Sequence, residues 1–400
     1  MASLVFKTPC GQISGQEENG IGKFLGVRFA TASRFEKPVV VTKWDGIYQA
    51  NKMMPACYQY RAFYDESLAT PFYYKEFREG LSFTYSEDCL SLNIFIPLKA
   101  SKAPVILHFF GGSFTRGSND EKPLDGTALA KKGMIFIAGS YRLNAFGKVT
   151  YQGSPYNLAL YDMWAALTWV KNNIAAFGGD PDNITLMGQS AGAISIQALL
   201  FNPDFRKEVK GAVLLSGGGF KKGLFAPKSP YLIKRFSKRL KGDLKTMEPK
   251  ELFDQFYLNE KKDKLSSFTF LPVYDEILIR KKDHKKMPPD MPPLMIGSVK
   301  NDIVSFLLPK KIRKYQKHSK TPVYVYRFMH ELPGGSKTNF HSADLWYFFA
   351  SLSHSWRKET EEDKKLEDLM TDYLVNFAAH QDPNKEGLAK WDLKEERIFL

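Results

Sequence analysis

Five consecutive residues, Gly188-Gln189-Ser190-Ala191-Gly192, have the types and spacing to expose a reactive serine. Ile184, Leu186 and Met187 before them read as a short buried strand, and Ala191, Gly192, Ala193, Ile194 and Ile196 read as the first turns of a helix. A G-x-S-x-G at such a strand-to-helix turn is a nucleophile elbow. A Cβ at either glycine would collide with neighbouring backbone, while the serine is held in a strained conformation with its hydroxyl outward. The helix N-terminus adds its dipole and free N–H groups at the point where negative charge develops in acyl transfer.

A serine hydroxyl is a poor nucleophile at neutral pH. It needs a base within hydrogen-bond reach, oriented by a third group. With an elbow of this kind the chain order is serine, acid, histidine, so the base lies beyond Ser190, where His284, His318, His330, His341 and His354 are candidates. His284 and His318 lie inside lysine runs and read as solvated. His330 follows an expected strand, His354 lies in a Ser-His-Ser segment, and His341 lies in a loop before Trp346-Tyr347-Phe348-Phe349. These patterns alone leave the base open.

The elements that must position these groups alternate along the chain. Leu4–Phe6 and Gln12–Ser14 around Thr8-Pro9-Cys10-Gly11 carry a hairpin signature, and Phe24–Ala30 follows. Residues 45–88 read as an irregular surface segment packed by its own tyrosines and phenylalanines, after which Ser86–Ile94 enters a strand. Pro104–Phe110 and Met134–Ala138 are nearly continuous apolar runs, as expected of strands covered on both faces. Apolar residues at 160, 163, 164, 167, 170, 174 and 177 have helical spacing, and Gly178-Gly179 with Pro181 stops that helix. Beyond the elbow come a strand at Ala212–Leu215, charged helices over 220–265, strands at Leu294–Gly297 and Val323–Phe328, and a last helix at Asp363–Ala378. This alternation predicts an α/β sheet in one domain spanning residues 1–400.

The 400 residues suffice for a sizeable core, and a hydrophobic fraction of 44% with 14% aromatics is that of a globular chain rather than a disordered or fibrous one. No apolar run approaches the roughly 18 residues of a membrane span. The N-terminus lacks a basic region followed by a long apolar core, so a cytoplasmic location is expected, with a processed secreted form left open. The net charge of +14 comes largely from lysines of the second half, including Arg280-Lys281-Lys282, Lys285-Lys286, Lys310-Lys311 and Arg313-Lys314. Such clusters could attract nucleic acid or an anionic surface, but with no nucleic-acid motif beside them they read as solvated surface. The three cysteines, Cys10, Cys57 and Cys89, match no zinc spacing.

Asn157-Leu158-Ala159-Leu160-Tyr161-Asp162, Trp169-Val170, Asn173-Ile174 and Phe177-Gly178-Gly179-Asp180-Pro181, running on to Ser190-Ala191-Gly192, resemble the type-B carboxylesterase and cholinesterase-like family of the α/β-hydrolase superfamily. Phe24–Ala30, Ser86–Asn93, Pro104–Ser118, Ser216-Gly217, Phe340–Phe348, Asn376–Ala378, Asp382–Asn384 and Trp391 extend the resemblance along nearly the whole chain. It implies an α/β-hydrolase fold, with a mostly parallel twisted central sheet and helices on both faces. It makes Ser190 the nucleophile and His341 the base, since the family's histidine also precedes an acidic residue and an aromatic strand. It makes Asp302, in Gly297-Ser298-Val299-Lys300-Asn301-Asp302, the acid, in preference to Asp275. An aspartate there is shorter than the family's usual glutamate but can still hold the imidazole tautomer.

The resemblance also implies an oxyanion hole from the backbone N–H groups of Gly112, Ser113 and Ala191. Here Phe110-Gly111-Gly112-Ser113 replaces the family's His-Gly-Gly-Gly. Ser113 adds bulk that should disfavour esters of tertiary alcohols. Cys57 and Cys89 match positions that can be bridged, and are expected reduced. Ser190 to Asp302 spans 112 residues, near the family's spacing, but Asp302 to His341 spans only 39, so the helical wall between them is expected to be much reduced. The expected activity is hydrolysis of small, accessible carboxylic esters through an acyl-enzyme, with no metal or organic cofactor and a small-molecule ester as partner. The alternatives are a catalytically impaired binding protein, kept open by the altered oxyanion loop, and an interfacial lipase, for which no apolar lid is evident.

Overall fold

The computed structural model describes residues 2–217, 226–263, 269–302 and 319–400. A twelve-stranded sheet runs through it. Its strands are β1 (Ala2–Thr8), β2 (Gly11–Glu18), β3 (Ile21–Arg28), β4 (Ile47–Gln49), β5 (Ser91–Pro97), β6 (Ala103–Phe109), β7 (Ile135–Gly139), β8 (Gly179–Gln189), β9 (Gly211–Leu215), β10 (Leu294–Val299), β11 (Val323–Phe328) and β12 (Glu396–Phe399). The spatial order is β1-β2-β3-β5-β7-β6-β8-β9-β10-β11-β12, with β4 beside β2. The first four neighbours pair antiparallel. From β7 to β12 every pairing is parallel.

β6, β7, β9 and β10 are covered on both faces, which is why they read as unbroken apolar runs: Ile106, Leu107, Ile135, Phe136, Val213 and Ile296 are all at most 1% exposed. The glycines of the sheet reveal its two layers. A Cβ on Gly188 would lie 2.7 Å from Ala193 N, in the Ala191–Leu200 helix. A Cβ on Gly211 would point at Phe377, in the Glu361–His380 helix. Gly211 pairs with Thr185, three residues before Gly188 on β8. Side chains alternate along a strand, so the two helices cover opposite faces.

Three features depart from the sequence-based expectations. Residues 45–88 contain short helices at Tyr60–Phe63, Glu66–Ala69 and Pro71–Phe77, and the last of these reaches the site described below. The aromatic run after His341 is a helix, Asp344–Phe348, not a strand. Every residue of that helix is buried, so neither periodicity nor exposure marks its type. Strand β12 has no apolar run to announce it, because its residues Glu396 and Arg397 are charged, and Glu396 pairs with Arg327 of β11 at the edge.

Candidate active site

The β8 strand delivers its last residue, Gln189, directly into the turn before the Ala191–Leu200 helix. Ser190 sits in that turn at φ 51°, ψ −115°, a backbone conformation that a non-glycine residue adopts only under strain. Its N–H donates to Leu215 O at 2.8 Å and its carbonyl accepts from Ile194 N at 2.9 Å, so both sides of the turn are tied down. Gly192 is there because of a close approach: a Cβ would stand 2.2 Å from Phe109 O.

Asp302 follows β10 and is 7% exposed. Its Oδ1 lies 2.6 Å from His341 Nδ1, and its backbone N–H donates to Val299 O at 3.2 Å. The acid and histidine loops are also joined by Asn301, which donates to Asn339 O at 2.8 Å. Burial acts against a charge on His341, but the hydrogen bond and charge of Asp302, with Asp344 nearby, outweigh it and hold the imidazole pKa above its ordinary value.

The loop after β6 carries three successive positive-φ residues, Gly112 at 107°, Ser113 at 55° and Phe114 at 66°. Gly112 cannot be replaced without strain, since a Cβ would meet Arg116 O at 2.1 Å. Among the described residues no hydrogen bond uses the N–H of Gly112, Ser113 or Ala191. The loop is held from behind: Phe110 stacks on Tyr141 at 4.5 Å, Tyr141 Oη–H donates to Phe110 O at 2.8 Å, and Gln59 exchanges two hydrogen bonds with Gly117. Ser190, His341, Gly112 and Ser113 line one cleft of about 350 Å³, whose walls include Tyr73, Phe77, Phe110, Leu124 and Leu345. Arg78, Arg116 and Glu121 line the same cleft.

A family model described as the carboxylesterase family matches residues 2–314 and 309–397. The chain belongs to the carboxylesterase family. It is 37% identical over 248 residues to acetylcholinesterase 4 of Caenorhabditis briggsae, covering 59% of this chain and 40% of that protein. It is 31% identical over 329 residues to para-nitrobenzyl esterase of Bacillus subtilis (strain 168), covering 77% of this chain and 65% of that protein. The chain thus spans 40% and 65% of the lengths of these two relatives. A solved structure of a PNB esterase aligns with a TM-score of 0.86 at 23% identity, over 100% of this chain and 96% of that one. The shared fold is that of the α/β hydrolases.

In this carboxylesterase-family chain the other sequence candidates stand apart from the Ser190 turn. Asp275 accepts from the backbone N–H groups of Ile277, Leu278 and Ile279 and from Asn157 Nδ2 at 2.9 Å, which makes it a turn brace. His330 is 2.8 Å from Asp363 at the start of the last helix. His284 is not solvated as its lysine-rich surroundings suggested: it is buried and stacks on Phe201 at 4.1 Å, because an apolar face of that segment turns inward while Lys285 and Lys286 stay outside. His318 and the clusters Lys310-Lys311 and Arg313-Lys314 lie outside the described residues, as do all of residues 303–318 in the segment between Asp302 and His341. Cys57 and Cys89 are free and buried. Among the described residues no group of His, Cys, Asp and Glu is placed to hold a metal, and no helix is long and apolar enough to cross a membrane.

Two contacts at the site were not anticipated from sequence. Tyr73, from the Pro71–Phe77 helix, donates to the carbonyl of His341 at 3.4 Å. Gln189 Nε2 lies 3.1 Å from His341 Nε2. Only its place beside Ser190 could have drawn attention to it.

Proposed function

We propose that this protein is a serine carboxylic-ester hydrolase. The observation that carries the reading is the 2.6 Å contact of Asp302 with His341 in the cleft that also exposes Ser190. Asp302 accepts from Nδ1–H and so leaves Nε2 as the basic nitrogen. Nε2 takes the Ser190 hydroxyl proton as Oγ bonds to the ester carbonyl carbon, and the carbonyl electrons move onto its oxygen. The free N–H groups of Gly112, Ser113 and Ala191 are the donors for that oxyanion. Collapse breaks the C–O bond to the alcohol, whose oxygen takes the proton from the imidazolium. Water then repeats the sequence on the acyl-enzyme, with His341 first as base and then as acid.

The cleft volume of about 350 Å³ suits small esters. Its apolar walls, Phe77, Phe110, Leu124 and Leu345, favour an uncharged acyl or alcohol group. Membership of a family that includes para-nitrobenzyl esterase supports ester hydrolysis as the reaction class. Hydrolysis of short-chain p-nitrophenyl esters, with an organophosphonate probe mapped by mass spectrometry, tests the reading. Turnover with the label on Ser190 is expected. A folded protein that neither hydrolyses nor labels would leave the binding-protein alternative in its place.

A further inference from the structure

His341 Nε2 is the nitrogen that must receive the serine proton, yet its hydrogen-bond partner is Gln189 Nε2, at 3.1 Å. Among the described residues no hydrogen bond joins Ser190 Oγ to His341. With Nδ1–H donating to Asp302, Nε2 carries a lone pair, so the Gln189 amide is the donor and the imidazole the acceptor. The carboxamide has little room to wander. Gln189 is 3% exposed, and a Cβ on Gly111 would fall 2.1 Å from its Oε1. Gln189 therefore sits between the root of the oxyanion loop and the base.

We propose that Gln189 is a positioning residue that latches the base in the resting enzyme, so that acyl transfer begins when Ser190 displaces its amide from His341. The inference rests on the esterase reading above. A donor aimed at Nε2 is compatible only with the neutral ring, because an imidazolium has no lone pair to accept it. Gln189 thus opposes protonation of His341, against Asp302 and Asp344, which favour it. Tyr73 meets the backbone of His341, not its ring, and Arg78, Arg116 and Glu121 stand on the cleft wall. The latch keeps the base neutral and the serine unactivated until a substrate fills the cleft.

The test compares wild type with Gln189→Met, which keeps the side-chain length and loses the donor, and with Gln189→Glu, which keeps the shape and reverses the preference. Two quantities are read: the His341 titration by NMR, which does not depend on hydrolysis, and the rate of Ser190 labelling by an organophosphonate. Losing one neutral hydrogen bond corresponds to about a 2- to 10-fold effect. Gln189→Met should raise the His341 pKa and speed labelling by about that factor, and Gln189→Glu should raise the pKa further. If Gln189→Met leaves the titration in place, or labels no faster than a wild type that itself labels, the latch is overturned. Should Gln189→Met not fold, an unmoved titration in Gln189→Glu overturns it equally. If Ser190 labels in no variant while the titration moves, the esterase reading fails and the contact stands.

Discussion

Asp302 and His341, 39 residues apart in sequence, meet through a 2.6 Å contact between Oδ1 and Nδ1. The parallel pairing of β10 with β11 brings the end of one strand beside the chain that follows the other, and Asn301 pins the two loops together. Asp302→Asn keeps the shape but offers the wrong group to Nδ1–H. Removing the acid from such a triad lowers kcat by roughly 10⁴-fold. Steady-state kinetics on a p-nitrophenyl ester should show that loss with little change in KM.

The pH dependence has a definite sign. As the proposed base, His341 must be neutral to accept the serine proton, so kcat/KM falls as pH drops through its pKa. Burial pulls that pKa down, but Asp302 and Asp344 together raise it above the ordinary histidine value. The acid limb of the kcat/KM profile should therefore lie above about 6.5, the ordinary value. A limb below it would mean that burial dominates.

Ser113 holds a left-handed conformation at φ 55° in the loop beside Ser190. Its side chain is exposed at the cleft. Ser113→Gly should remove both the backbone strain and the bulk near the scissile group. Turnover of a tertiary-alcohol ester, relative to the matching primary-alcohol ester, is expected to rise in the variant. If wild type already handles the two equally, Ser113 does not set that selectivity.

Glu76 and Arg357 are both fully buried and joined at 2.7 Å. Arg357 also donates to the carbonyls of Pro333 and Lys337, so the pair ties the helix bearing Tyr73 to the chain leading into His341. Leaving one charge of such a buried pair alone costs about 3–5 kcal/mol. Glu76→Ala should lose that much in denaturant unfolding, and Glu76→Gln should be destabilised through the same orphaned charge.

The sheet was legible where physics leaves one choice. Runs such as Pro104–Phe110 read as doubly covered strands, and Val323–Phe328 coincides with β11. The elbow was legible because its glycines answer to close approaches, such as Gly192 to Phe109 O. His341 was different. Residue patterns left it level with His330 and His354, and only the resemblance chose it, because the contact to Asp302 depends on sheet order. The wholly buried helix Asp344–Phe348 has no exposed face to give it a period. Gln189 was illegible for a related reason: nothing in a sequence says that a side chain will reach across to a loop 152 residues away.

In the proposed mechanism Ser190 carries the acyl group. Hydrolysis of p-nitrophenyl acetate by wild type and by Ser190→Ala, with phosphonate labelling of both, tests it most directly. Wild type should turn over and label at Ser190, while the variant should fall by several orders of magnitude and take no label. Equal activity in the two proteins, or a label on another residue, would contradict it.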